Sequence, residues 1–306
     1  MAFLQTHRMN LVGRATLICM AAFATAWAGP ALSAPQTFNT ALPVGEGEYV
    51  LRQQFVLEQS GDDPSGNNRD RTALSALGYG VHQNFAIFGV LPYADKRLEL
   101  TEGDERRARS ARGLGDISLF GRYTAFKQDW RGRTFRIAPF AGVEAPTGDD
   151  ELSDSFGRLP KSVQPGSGSW DPFAGIVATY QTLDFQIDAQ VSYKANTKAN
   201  DFEFGDIARL DASLQYRLWP QSLSSVIPGF LYGVFEANLI YQDTNTSGGV
   251  SDINSNGTRL FLVPGLQYVT RRWIVEAAVQ LPVLQDLNGT ALENRYVFRS
   301  GFRVNF

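Results

Sequence analysis

The 306-residue chain has one cysteine, Cys19, and two histidines, His7 and His82. A single cysteine excludes a disulfide scaffold and a cysteine-rich metal centre. Charged residues make up 19%, and the formal charge is −3. Without a basic excess the chain lacks the electrostatic footprint of a nucleic-acid binder, so no nucleic-acid partner is expected. No apolar run reaches the ~20 residues that a membrane-crossing helix needs, and no helical periodicity persists over a useful length. Against these absences stand 29 glycines and 12% aromatic residues.

The longest apolar stretch runs from Ala15 to Ala28, behind His7, Arg8 and Arg14 and without an acidic residue. A positive start, a short apolar centre and small residues at its end make a secretory signal peptide. The expected division is a signal peptide over 1–33, cut after Ala28 or Ser33, and a barrel over 34–306. Cys19 follows Thr16-Leu17-Ile18 and lacks the small residue expected before an acylated cysteine, so it is expected to leave with the signal. Losing Arg8 and Arg14 takes the formal charge from −3 to −5.

Alternation with period two dominates the rest, the mark of strands with two unlike faces. Phe185, Ile187, Ala189, Val191 and Tyr193 alternate with Gln186, Asp188, Gln190, Ser192 and Lys194. Such runs fit the length of a transmembrane strand, about 9–11 residues, and exceed the usual strand of a soluble protein. They predict twelve strands near 48–58, 72–81, 84–97, 114–126, 134–145, 171–181, 184–194, 206–218, 230–242, 258–270, 272–284 and 294–306. Odd-numbered connections are long and polar: Ser60–Arg71, Leu98–Gly113, Pro146–Trp170, Ala195–Gly205, Asp243–Gly257 and Gln285–Glu293. Even-numbered ones are short, such as Val81–Gln83, Leu183 and Arg271, with Trp219–Gly229 the exception. This asymmetry belongs to outer-membrane barrels, with long loops outside and tight turns in the periplasm. The expected fold is therefore all-β: a transmembrane antiparallel up-and-down β-barrel of about twelve strands in the outer membrane. Tyr193, Tyr216, Tyr241, Tyr268 and Tyr296 sit near the ends of apolar faces, where they would build the aromatic girdle. The chain ends on Phe306 behind alternating aromatics, the expected signal to the barrel-assembly machinery.

Around the longest loop the glycines form an ordered series. Gly113-Leu114-Gly115-Asp116 is followed by Gly121-Arg122-Tyr123, then by Pro146-Thr147-Gly148. Gly166-Ser167-Gly168-Ser169-Trp170-Asp171-Pro172 comes next, with Gly175 and Thr179 behind it. These motifs resemble those of the outer-membrane transporter family named after the MetA pathway of phenol degradation. The resemblance implies an outer-membrane barrel that passes hydrophobic or aromatic small molecules. Physically the glycines permit tight turns and close backbone approach, and Pro146 ends a strand.

Charges at mid-strand in a bilayer-spanning barrel must face water or a partner. Alternation assigns a lumen of both signs: Asp116, Arg122, Arg136, Asp171, Asp188, Lys194, Arg209, Asp211, Arg217, Glu236, Arg259, Glu276, Arg299 and Arg303. Two readings compete. Either these charges pair across the lumen as a structural network, or they line a wet path and set its selectivity. Twelve strands fall between barrels that side chains fill and barrels that leave an open channel, so a narrow, partly plugged path is expected.

In the loops, Arg106, Arg107, Arg109 and Arg112 are candidates for lipopolysaccharide phosphates. Asp149, Asp150, Glu151 and Asp154 are oxygen-rich but have no recognisable metal-loop spacing. The Pro146–Trp170 loop is long enough to fold inward as a constriction or lid. Hydrolase chemistry would rest on His82 in a periplasmic turn, and no G-x-S-x-G elbow occurs. The expected function is passive uptake of small hydrophobic or aromatic compounds, without cofactor, metal or catalytic residue. Expected partners are outer-membrane lipid, lipopolysaccharide, the assembly machinery and a small-molecule substrate. A structural or surface-interaction barrel is the alternative, ahead of an outer-membrane hydrolase.

Overall fold

The computed structural model describes residues 33–63, 66–102, 105–222 and 228–306. Apart from Ser33, the expected signal peptide and Cys19 lie outside the described residues, as does the middle of the Trp219–Gly229 connection.

Twelve antiparallel strands form a closed barrel. They are β1 (Tyr49–Asp63), β2 (Gly66–His82), β3 (Phe85–Glu102), β4, β5 (Arg133–Ala145), β6 (Asp171–Thr182), β7 (Phe185–Lys194), β8 (Ile207–Trp219), β9 (Phe230–Gln242), β10 (Gly257–Val269), β11 (Trp273–Leu287) and β12 (Asn294–Asn305). Strand β4 is one strand in three pieces, Glu105–Leu114, Ile117–Tyr123 and Phe126–Trp130, which pair with β3, with β3 and β5, and with β5. Each strand pairs with the next, and β12 closes on β1 from Val50↔Asn305 to Gln59↔Tyr296.

Period-two alternation here produces a molecule turned inside out. Phe55, Leu57, Leu77, Ile87, Leu119, Ile176, Ile187, Leu210, Phe235 and Leu266 are exposed on the outer face. Gln54, Asp188, Asp211, Gln215, Glu236, Asn238 and Gln267 are buried in the lumen. In water this arrangement would be unstable; in a bilayer it puts apolar surface against lipid and satisfies every strand edge by closure. Tyr193, Tyr241 and Tyr296 ring the barrel toward the long-loop end, and Tyr216 lies toward the short-turn end, all exposed. Tyr268 is less exposed and packs 5.6 Å from Trp273.

Two expected loops are strand instead. Residues 60–63 with 66–71, and 98–102 with 105–113, carry β1–β2 and β3–β4 outward beyond the apolar band as long strand pairs. They read as loops because polar and charged residues dominate both segments and the regular apolar–polar alternation is lost, although Leu98, Leu100 and Ala111 still pack inward. The β3–β4 ladder is continuous nonetheless, from Tyr93↔Leu114 to Glu102↔Glu105, whereas the β1–β2 ladder shifts register between Ser60 and Asp63. The long loop 146–170 folds inward against the β3–β4 pair. Its Leu159 and Val163 bury beside Leu98, with Leu152 and Leu292 packed around them.

Candidate functional site

Before β1 the chain does not leave the barrel but enters it. Residues 33–42 run through the lumen, where Ala34, Gln36, Ala41 and Leu42 are buried. Pro35 and Pro43 keep this segment out of the sheet, since proline supplies no donor to a ladder. An extended peptide needs partners for its backbone groups when it is buried away from water. The inward glutamines and acids supply them. Gln267 donates to the Ala34 carbonyl at 2.6 Å and accepts from the Ser33 hydroxyl at 2.9 Å. Glu236 accepts the Gln36 amide at 2.6 Å, the Thr37 amide at 3.2 Å and the Thr37 hydroxyl. Thr179 accepts the Ala41 amide at 2.8 Å. Arg122 donates to the Thr40 carbonyl at 2.6 Å and the Leu42 carbonyl at 2.7 Å. Arg52 donates to the Pro35 and Gln36 carbonyls and makes a two-nitrogen bond to Glu276, at 2.9 and 2.6 Å. The segment is a plug stitched to several strands.

Two cavities lie in the lumen, one lined by the plug and one toward the long-loop end that the plug does not reach. The lower, about 800 Å³, reaches from the short-turn end at Glu48 and Asn305 up to Lys194 and Arg209. Part of its wall is aromatic. Phe88 and Phe120 stack at 4.8 Å, and Phe140 and Phe173 stand edge-on to Phe120 at 6.2 and 5.9 Å. Gly175 makes room for this cluster: a Cβ there would lie 2.5 Å from the Phe140 ring. The upper cavity, about 620 Å³, is a vestibule at the long-loop end, bounded by Lys161 and Ser162 of the inward-folded loop. Arg209 lines both cavities.

The expected lumen residues divide by what they touch. Arg122, Arg136, Lys194, Arg209 and Arg303 line the lower cavity, and Arg209, Arg259 and Arg299 line the upper one. Glu236 and Glu276 hold the plug and its arginine. Asp188 and Asp211 sit in a buried network behind it: Asp188 accepts from Thr179, Gln186 and Gln215, and Asp211 from Arg209, Gln190 and Asn238. Arg217 lies at the turn end, paired with Asp184 and set over the Phe230 ring at 5.8 Å.

Asp116 and Asp171, like Asp188, Asp211, Arg217, Glu236 and Glu276, line neither of these two cavities. Asp116 is buried under the long loop, where it accepts the Gly148 amide at 2.9 Å, the Ser167 amide at 2.6 Å and the Ser167 hydroxyl at 2.7 Å. The three glycine motifs thus meet in one knot: a Cβ on Gly148 would strike both Gly115 and Gly166 at 2.9 Å. Asp171 accepts the Thr197 amide at 2.8 Å, pinning the next loop. Both are anchors: loop amides bind both oxygens of Asp116 and Oδ1 of Asp171, whose Oδ2 lies 3.8 Å from Lys194 Nζ.

At the rim, Arg106 pairs with Glu99, Arg107 with Glu105, and Arg109 with Asp154. Asp150 accepts from Lys161 Nζ and Asn200 Nδ2, both at 2.8 Å. Among the described residues no group of His, Cys, Asp and Glu is arranged to hold a metal. His82 ends β2 at the short-turn side, exposed, with its Nδ1 facing the Asn84 amide at 3.4 Å. Phe306 completes the seam, exchanging backbone bonds with Tyr49 at 2.7 and 3.0 Å and stacking on its ring at 5.7 Å.

The plug is what sequence reasoning missed. Its own residues carry no periodic signal. The signal lay opposite, in the glutamines at inward positions (Gln54, Gln186, Gln190, Gln215, Gln267 and Gln280), each both donor and acceptor and so suited to a passing backbone.

Among solved structures, an outer-membrane channel of the COG4313 group from Pseudomonas putida F1 superposes with a TM-score of 0.66. The match is 12% identical and covers 90% of this chain and 100% of that one. The β domain of the Bordetella autotransporter BrkA gives 0.46 at 10% identity, covering 85% and 100%. No curated protein matches the chain by sequence. The first superposition establishes the outer-membrane barrel fold, and the family model described as "Putative MetA-pathway of phenol degradation" matches residues 69–299; the chain belongs to that family.

Proposed function

We propose that this barrel is a passive outer-membrane channel for small hydrophobic or aromatic compounds, held narrow by the plug. The observation that carries the reading is the pair of cavities, one along the plug and one at the long-loop end, which share Arg209 as a common wall. Together they trace a route from the long-loop mouth to the short-turn end. The Phe88, Phe120, Phe140 and Phe173 cluster gives the route an apolar flank on which an aromatic ring can rest. The family's description, which names phenol degradation, points to the same cargo.

The purified protein in planar bilayers should show small discrete conductances, and removal of residues 33–44 from the exported chain should raise them several-fold. Liposomes carrying the protein should take up benzyl alcohol faster than empty ones. If neither the full protein nor the deletion conducts, the barrel is a sealed structural element. The dense bonding between plug and wall is the observation that favours that second reading.

A further inference from the structure

The upper vestibule holds three guanidinium groups, two of them partly paired and one without a partner among the described residues. Arg209, Arg259 and Arg299 project from β8, β10 and β12 into this one cavity. Arg299 Nε donates to Gln280 at 2.7 Å, and Arg209 donates one Nη to Asp211 at 3.0 Å. Arg209 Nε is buried without a partner. Arg259 has neither a hydrogen bond nor an ion pair among the described residues, and its Nε is buried too. Arg259 is part-buried at the cavity wall, and a guanidinium fork matches a carboxylate with two parallel bonds.

The cavity's own acids do not fill this place. Glu58 accepts the Asn294 amide at 2.7 Å and reaches Arg259 and Arg299 only through space. Asp70 takes the Asn68 amide at 3.2 Å, and Asp252 caps its own turn through Asn254. Lys161 is committed to Asp150. Phe202 and Phe204, with ring centroids 4.8 Å apart, and the buried Phe261 line the same space.

We infer that the vestibule is a binding site for a compact aromatic monocarboxylate of the benzoate class. Its carboxylate sits on Arg259, with Arg209 and Arg299 beside it, and its ring lies against the three phenylalanines. The inference rests on the reading of the lumen as a solute route and names the charge and shape of the solute that the route collects.

The test is equilibrium binding to the full protein in nanodiscs, followed by calorimetry and ligand-observed NMR, which requires no transport. Benzoate should bind, whereas acetate, the charge without the ring, and benzyl alcohol, the ring without the charge, should each bind more weakly. R259Q should weaken benzoate by about tenfold or more while leaving benzyl alcohol unchanged, since one charge-assisted pair is lost. R259K, which keeps the charge and loses the fork, should fall between. R131Q, in a short turn at the far end, serves as the control and should bind as wild type does. Should R259Q fail to assemble, R299Q in the same cavity answers the question. Benzoate binding equally to wild type and R259Q, or not binding to wild type, overturns the inference. Conductance measured on the same samples separates the two proposals: a channel that conducts without binding benzoate loses only the site, and one that binds without conducting loses only the route.

Discussion

The lower lumen and the vestibule are built from the same residue types on the same strands, yet their polar groups end differently. Below, Arg52 is shared among Glu276 and two plug carbonyls, and Arg122 is shared between two more. Above, Arg259 projects into open space with no bonding partner among the described residues. A buried charge that is satisfied specifies a structure; a part-buried one at a cavity wall without a protein partner is free to meet a ligand. The contrast assigns the plugged half to architecture and the vestibule to recognition.

The sharpest way to break this comparison is to make the same change in both halves. R52M strands Glu276, whose remaining donors are the amides of Gln54 and Gln267. Because Arg52 is 21% exposed, the loss should fall at the low end for a broken buried pair, about 3 kcal/mol. R259M removes a charge that bonds to nothing and should leave stability unchanged or raise it. Urea midpoints of the two variants, read by the heat-modifiable shift of the folded barrel on gels, decide it. Equal destabilisation by both would erase the distinction.

A smaller effect is expected where the plug meets a single carboxylate. E236Q keeps one acceptor but presents a donor to the Thr37 amide, so about 1–3 kcal/mol of charge-assisted bonding to the plug is lost. The barrel wall is untouched. The variant should therefore keep its urea midpoint near wild type while its conductance flickers to larger openings, the signature of a plug that detaches while the strands hold. A quiet trace would show that the glutamines and Arg122 hold the segment without Glu236.

How much of this was written in the sequence depends on which contrast a residue depends on. Strands β5 to β12 were legible almost to their ends, because each alternates between lipid and a polar lumen. Strand β8, for example, was expected at 206–218 and spans Ile207–Trp219. The outer parts of β1 to β4 were not, because charged residues such as Arg69, Arg97 and Arg106 break the regular alternation there. The inward charges were legible as a set, but their roles were not. Whether an acid holds a plug, as Glu236 does, or ties a loop, as Asp116 does, depends on a backbone segment that leaves no periodic trace. The glycine motifs were legible as turns and close approaches, and the structure shows why three of them travel together: they meet around Asp116.

The smallest effect should come at the rim, where the inward-folded loop is tied by Asp150. Burial pushes its carboxyl up, but the Lys161 and Asn200 bonds and the charges of Lys161 and Arg158 overcome that and hold it below the ordinary aspartate range. A group whose folded value is depressed contributes stability that is complete above its unfolded value and lost as pH falls through the folded one. The tie should therefore hold from neutrality down to about pH 4, the ordinary aspartate value, and slip only below it. Amide exchange at Gly166 and Ser167 should report this as protection steady between pH 7 and about 4, after correction for intrinsic rates, and falling below that. D150N, which keeps the shape and removes the charge, should show the low-pH exchange pattern at neutral pH. If protection in wild type fades between pH 7 and 5 instead, the loop is held by a group of higher pKa, and the vestibule's cover opens under milder acid than Asp150 allows.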